Sequence, residues 1–222
     1  MEYLYETHMH TSEVSACALY SAVRQVILYK EMGYTGIIIT DHFVNGYTRC
    51  SKHLSWEKKM MFTLSGYAEA KKAGDKYGLD VFPGWEFTIK GSDFLTYGLD
   101  TEFLLANPGI DKLSIEKYSE LIRNNGGYIA QAHPYRDDYY IEHKYPVSPK
   151  LIDGVEVFNS EDRNTANAKA LEFALKNDLP MQAGTDSHGR GNNHFSGIAL
   201  KTKAETIFDI INAIKSKQVR LI

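Results

Sequence analysis

Apolar residues occur along the chain as short runs, separated by longer stretches in which they recur every three or four positions. The short runs predict strands at 3–6, 36–39, 80–82, 94–97, 128–130, 154–157, 181–183 and 197–200. The amphipathic stretches predict helices at 16–32, 56–77, 115–123, 165–176 and 205–215. Ser55 and Ser114 stand where N-caps belong, and Gly33, Gly78, Gly126 and Gly127 where helices stop. Strands alternating with helices imply βαβ units and parallel pairing. Two polar stretches, 45–55 and 134–149, interrupt the rhythm, and long loops inside a compact domain usually carry function. With 222 residues and no linker-like change of composition, the pattern predicts a single unit over 1–222, either one α/β barrel or one large α/β domain.

Charge and composition narrow the function classes. A formal net charge of −3 argues against a nucleic-acid polymer as partner, which would need a basic face. A local basic pocket for a small anion remains compatible with it. No apolar run approaches the length of a membrane span. The first residues read as a strand rather than a signal peptide. Cys17 and Cys50 lack CxxC spacing, so free thiols in a reducing cytoplasm are expected, with Cys17 read first as a helix thiol and only second as a ligand.

The informative feature is where metal-capable side chains fall. His8 and His10 follow the first predicted strand, Asp41 and His42 the second, and Glu86 the third. Asp93 opens the fourth, His133 follows the fifth, and Asp186 and His188 follow the seventh. In a parallel barrel the C-terminal ends of the strands converge on one face. Residues two apart in extended chain share a side, which pairs His8 with His10 and Asp186 with His188. Each piece alone is weak: an HxH is often structural, and an Asp-His is often a turn or cap. Together they would bury several carboxylates beside imidazoles, an arrangement that like-charge repulsion and desolvation oppose unless cations compensate. Imidazole with carboxylate suits zinc, manganese or iron(II).

In this order the motifs His8-Met9-His10, Thr40-Asp41-His42, Glu86, His133-Pro134 and Asp186-Ser187-His188 resemble the PHP family, named for polymerase and histidinol phosphatase. The resemblance runs from residue 7 to 188. It implies a distorted TIM-like (β/α)7 barrel with two or three divalent ions at the C-terminal rim. It implies that His8, His10 and Asp186 hold one ion, that Glu86 bridges to another, that His42 and His188 serve a second, and His133 a third. Two positions depart from the commonest pattern. Where the family often has His or Asp after HxH the nearest candidate is Glu13, and Asp93 stands in for a second imidazole at the third ion.

The absence of polymerase segments leads to the expectation of a stand-alone phosphoesterase acting on a small phosphorylated metabolite, such as histidinol phosphate, or a nucleotide. A hydroxide held between the ions would attack phosphorus in line. Arg136 and Arg190 are the candidate phosphate clamps, Asp41 a carboxylate orienting a histidine or the water, and His194 a proton donor to the leaving group. Tyr135, Tyr139, Tyr140 and Tyr145 either stack on substrate or pack their loop onto the barrel, with packing favoured; His53 and His143 are expected in solvent. Two other readings stay open: an amidohydrolase-like C–N or C–O hydrolase, and a non-catalytic metal-binding scaffold.

Overall fold

A computed structural model describes residues 2–139, 141–142, 145–189 and 195–222. In chain order its elements are β1 (Tyr3–Glu6), α1 (Ala22–Glu31), β2 (Gly36–Ile39), α2 (Trp56–Thr63), α3 (Ser65–Tyr77), β3 (Asp80–Ile89), β4 (Ser92–Tyr97) and α4 (Thr101–Ala106). There follow α5 (Ile115–Asn124), β5 (Tyr128–Gln131), β6 (Gly154–Asn159), α6 (Asn164–Lys176), β7 (Met181–Gly184), β8 (Ile198–Leu200), α7 (Ile207–Lys215) and β9 (Arg220–Leu221). The expected helix 16–32 starts only at Ala22, after turns, with the Ser21 hydroxyl accepting from the Arg24 N–H. The expected helix 56–77 is two helices meeting at Leu64.

Among the described residues the strands form one sheet in the order β7-β6-β5-β4-β3-β2-β1-β8-β9. The β1–β2, β2–β3, β5–β6 and β6–β7 pairs are parallel. The expectation that all strands run one way is corrected at β4, antiparallel to both β3 and β5, and at β8, antiparallel to both β1 and β9. At β4 the cause is local. Only Lys90 and Gly91 separate β3 from β4, both at positive φ (51° and 80°), and two such residues make a hairpin turn, never a parallel crossover. The barrel all but closes between the ends of β1 and β7, where His10 N–H donates to Ser187 O (3.0 Å) and Asp186 N–H to His8 O (2.8 Å).

Helices cover the outside. Ile207, Ile210, Ile211 and Ile214 of α7 follow helical spacing and bury against Tyr97 and Tyr128. Val26 and Tyr29 of α1 pack with Ala70 and Ala73 of α3 over Ile37 and Ile39. On the opposite flank Phe87 stacks on Tyr118 at 3.7 Å, and Trp85 Nε1 donates to the Tyr118 hydroxyl. No described helix is long and apolar enough to cross a membrane.

Candidate metal centre

The strand ends deliver their polar residues to one place. β1 runs out at Glu6 into His8 and His10, and β2 into Asp41 and His42, while Glu86 lies within β3 beside His42 in a parallel bridge. β5 leads to His133 and β7 to Asp186 and His188. Because β4 is reversed, its N-terminal end lies at this rim, and so Asp93 joins it. Among the described residues, four groups have donor atoms within 4.8 Å of one another: His8, His10 and Glu86; His8, His133 and Asp186; Glu86, Asp93 and His133; and His10, His42 and His188.

The two Glu86 oxygens face different sides. Oε1 lies 3.2 Å from Nε2 of both His8 and His133, whereas Oε2 lies 2.7 Å from His42 Nδ1 and 3.4 Å from His10 Nε2. Asp186 Oδ1 sits 3.3 Å from His8 Nε2 and 3.1 Å from His10 Nε2. Glu86 Oε2, Asp186 Oδ1 and His42 Nδ1 are buried without a hydrogen bond among the described residues. Buried polar atoms are nearly always satisfied, so three orphans set among the same cluster of imidazoles and carboxylates fit divalent cations as their missing partners.

Other bonds fix which imidazole nitrogen faces inward. His8 Nδ1 is 2.9 Å from Glu156 Oε1, His10 Nδ1 is 3.0 Å from the Ser15 hydroxyl, and His188 Nδ1 is 2.7 Å from the Asp186 carbonyl. A proton held at Nδ1 leaves the Nε2 lone pair for an ion. Asp41 acts at one remove. It accepts from Thr11 N–H (2.7 Å), the Thr11 hydroxyl (2.6 Å) and the Ser15 hydroxyl (2.7 Å), and so reaches His10 through Ser15 rather than touching the cavity. α3 comes this close because Gly66 has no side chain: a Cβ there would lie 2.2 Å from Asp41 Oδ2. Gly184, at the end of β7, likewise leaves room for His8 and Glu156.

The electrostatics are those of a charge cluster cut off from water. Burial opposes ionisation of Glu86, yet the neighbouring His42 and His8 hold its carboxyl well below the usual range. Burial is likewise outweighed at Asp186, where His8, Arg136 and His188 depress the pKa. His8 and His42 are raised against burial, chiefly by Asp186, Glu156 and Glu86 at His8 and by Glu86 at His42. His10, buried between His188 and His42, is pushed down to about 3. Burial, then Glu86, lifts Asp93 to about 6, and burial lifts Asp41 to about 6. His133 (φ 27°) and Asp186 (φ 55°) both take a backbone conformation unusual for residues with a side chain, as often at functional positions.

Several expectations change. Glu13 belongs to none of the donor groups; both its oxygens accept from Ala22 N–H (3.1 and 3.0 Å), holding the start of α1 where a carboxylate favours the helix dipole. Cys17 is in a turn rather than a helix and half-buried, and the nearby His188 and His42 lower its thiol to about 7 against burial. Arg136 lines the cavity with two of its three guanidinium nitrogens already engaged by the protein. Its Nε donates to Asp162 (2.6 Å), and its Nη2 to Asn159 (3.1 Å) and Asp186 (2.8 Å). Arg190, His194, Tyr140 and His143 lie outside the described residues. Tyr135 and Tyr139 line the cavity, and Tyr139 and Tyr145 are exposed rather than packed down. His53 is exposed, as expected.

Sequence reasoning passed over Glu156, Glu6 and Ser15. Glu156 holds His8 and accepts from His133 N–H (3.0 Å), and Glu6 accepts from the His8 and Thr185 N–H groups. Burial raises Glu6 to about 7. The available signal was a carboxylate inside an apolar strand, as in Gly154-Val155-Glu156-Val157.

No family model and no curated protein matches this sequence. Solved structures do. A two-domain protein from Bacteroides vulgatus containing a predicted PHP-like metal-dependent phosphoesterase superposes at TM-score 0.71 and 16% identity over 100% of this chain, which spans 65% of that protein. A protein from Bifidobacterium adolescentis assigned to the metal-dependent phosphoesterases gives TM-score 0.61 and 15% identity, covering 97% of this chain and 96% of its own. An amidohydrolase from Chromobacterium violaceum with bound sulfate gives 0.60 and 14%, covering 97% of each. At these identities the likeness is one of fold: the nearly closed mixed barrel is that of PHP-like phosphoesterases.

Proposed function

We propose that the chain is a metal-dependent phosphoesterase hydrolysing a small phosphorylated metabolite or nucleotide. The observation that carries this reading is the set of orphaned buried donors, Glu86 Oε2, Asp186 Oδ1 and His42 Nδ1, at the base of an open cavity of about 820 Å³. His8, His10, Asp186 and Glu86 would hold one cation, His42 and His188 a second, and His133 with Asp93 a third, with zinc, manganese and iron(II) the ions such donors suit. Bound there, the cations would make water nucleophilic near neutral pH and neutralise phosphate charge.

The chain's own residues supply the rest. Glu156 and Ser15 keep His8 and His10 turned inward, and Arg136 and Asn159 hold Asp186 Oδ2 so that Oδ1 faces the donors. Arg163 and Lys169, around the first turns of α6, add positive charge to the cavity wall for an anionic substrate. Tyr47, Tyr135 and Tyr139 offer ring faces to the organic part.

The fold likeness to an amidohydrolase keeps one competitor, metal-assisted C–N or C–O hydrolysis. Protein reconstituted with Zn²⁺, Mn²⁺ or Fe²⁺ should release inorganic phosphate from a panel of phosphorylated metabolites and leave amides and lactones intact. Turnover confined to the amide and lactone panel would overturn the phosphoesterase reading. Less than about one bound metal per chain after reconstitution would overturn the metal centre itself.

A further inference from the structure

The turn at Lys90 and Gly91 sets the register of the hairpin that carries Asp93. Ile89 pairs with Ser92 and Thr88 with Asp93, so the Thr88 and Asp93 side chains leave the sheet on one face, directly opposite each other. The Thr88 hydroxyl donates to Asp93 Oδ1 at 2.6 Å, and the other oxygen, Oδ2, lies 3.8 Å from His133 Nε2. Glu86 Oε1 stands 3.2 Å from the same nitrogen, and Thr88, Asp93 and His133 all line the cavity. Thr88 is in turn clamped by the segment that follows β2. Asn45 Nδ2 donates to the Thr88 carbonyl (2.7 Å), and the Thr88 N–H donates to Asn45 Oδ1 (3.4 Å). The same segment carries His42, and its Phe43 N–H donates to the Glu86 carbonyl (2.8 Å). Through Thr88, then, the stretch bearing His42 is tied to the carboxylate that stands where a second imidazole was expected.

We propose that Thr88 is a positioning residue for the cation at His133: its hydroxyl engages Asp93 Oδ1 so that Asp93 gives that cation one oxygen, Oδ2, while Asn45 keeps Thr88 in place. The inference rests on the metal-centre reading above. A carboxylate with both oxygens free can rotate or bind through both, whereas one already accepting a short hydrogen bond is held to a single donor in a single orientation. Glu86 Oε1, Asp93 Oδ2 and His133 Nε2 then make three protein donors, the number found where a cation keeps a place open for water or substrate.

The test uses the full chain and zinc. It compares the parent with Thr88→Val, which keeps the shape but loses the hydroxyl, and with Thr88→Ser, which keeps the hydroxyl. Bound zinc per chain is measured against buffered free zinc, and anomalous scattering at the zinc edge shows which position empties. The expected result is that Thr88→Val weakens the ion at His133 by roughly 10–100-fold, leaves the others at the parent's affinity, and is rescued by Thr88→Ser. Thr88→Val holding that ion as tightly as the parent overturns the role of Thr88 while the metal centre stands. So does a uniform weakening of every ion that serine does not rescue, or an empty His133 position in the zinc-saturated parent. Less than about one zinc per chain in the parent overturns both. Should Thr88→Val fail to fold, the zinc-loaded parent decides alone: Asp93 bound through one oxygen, with the Thr88 hydroxyl kept on the other, supports the proposal, and both oxygens on the ion overturn it.

Discussion

Replacing Arg136 by alanine asks whether this guanidinium is a strut for Asp186 or a grip on substrate. The side chain is 16% exposed and bridges Asp162 and Asp186, whose side chains are 5% and 2% exposed. Each charge-assisted hydrogen bond contributes about 1.5–3 kcal/mol, and removing one partner of a buried pair costs about 3–5 kcal/mol. Asp186 would keep Asn159 Nδ2 at 3.2 Å and its imidazole neighbours, which softens the loss. Arg136→Ala should therefore destabilise the chelator-treated protein by roughly 3 kcal/mol, the low end of that range. Arg136→Lys should recover part of this, because one ammonium can face either carboxylate but not span both as the fork does. The assay is urea denaturation in excess chelator at neutral pH, with the m-value checked for constancy. A loss below about 1 kcal/mol, the scale of an exposed ion pair, would refute the strut. The grip alternative would then require weaker inhibition by inorganic phosphate in the same variant.

Three further outcomes are expected. Asp93→Asn should lower metal content, and Glu13→Gln should leave it unchanged while costing about 0.3–1 kcal/mol at the start of α1; elemental analysis and thermal melts of both variants separate the two roles. Gly66→Ala, by placing a methyl group on Asp41 and Thr11, should cost about 1–3 kcal/mol through overpacking and loosen the Ser15–His10 contact; a stable variant with full metal content would show that α3 can simply move. Metal affinity should rise with pH. Against burial, neighbouring carboxylates raise His8, His42, His133 and His188, so below their pKa values protons occupy atoms an ion needs, and binding must release them. Titration calorimetry in buffers of different ionisation enthalpy measures that release, and an enthalpy independent of buffer would contradict it.

What the sequence by itself determined is the set of strands and the polar residues at their ends. Short continuous apolar runs such as Gly36–Ile39 fix where Asp41 and His42 emerge, because strand geometry is local and repeats along the chain. The same logic brings His8, His10, His133, Asp186 and His188 to one rim once the strands share a barrel. Glu86 reaches it on β3, in a parallel bridge with His42, whereas Asp93 reaches it for a different reason, the hairpin at Lys90 and Gly91, which turns β4 around. Which carboxylate, thiol or guanidinium meets which partner was decided only by tertiary structure. Glu13 lies three residues from His10 yet bonds to Ala22, whereas Cys17, farther along, comes near His42 and His188. Arg136, three residues past His133, is held by Asp162 and Asp186, and Glu156 meets His8 across 148 positions of chain. Periodicity specifies the direction in which a backbone presents a side chain, but the partner it finds depends on how distant segments pack, and no local pattern encodes that.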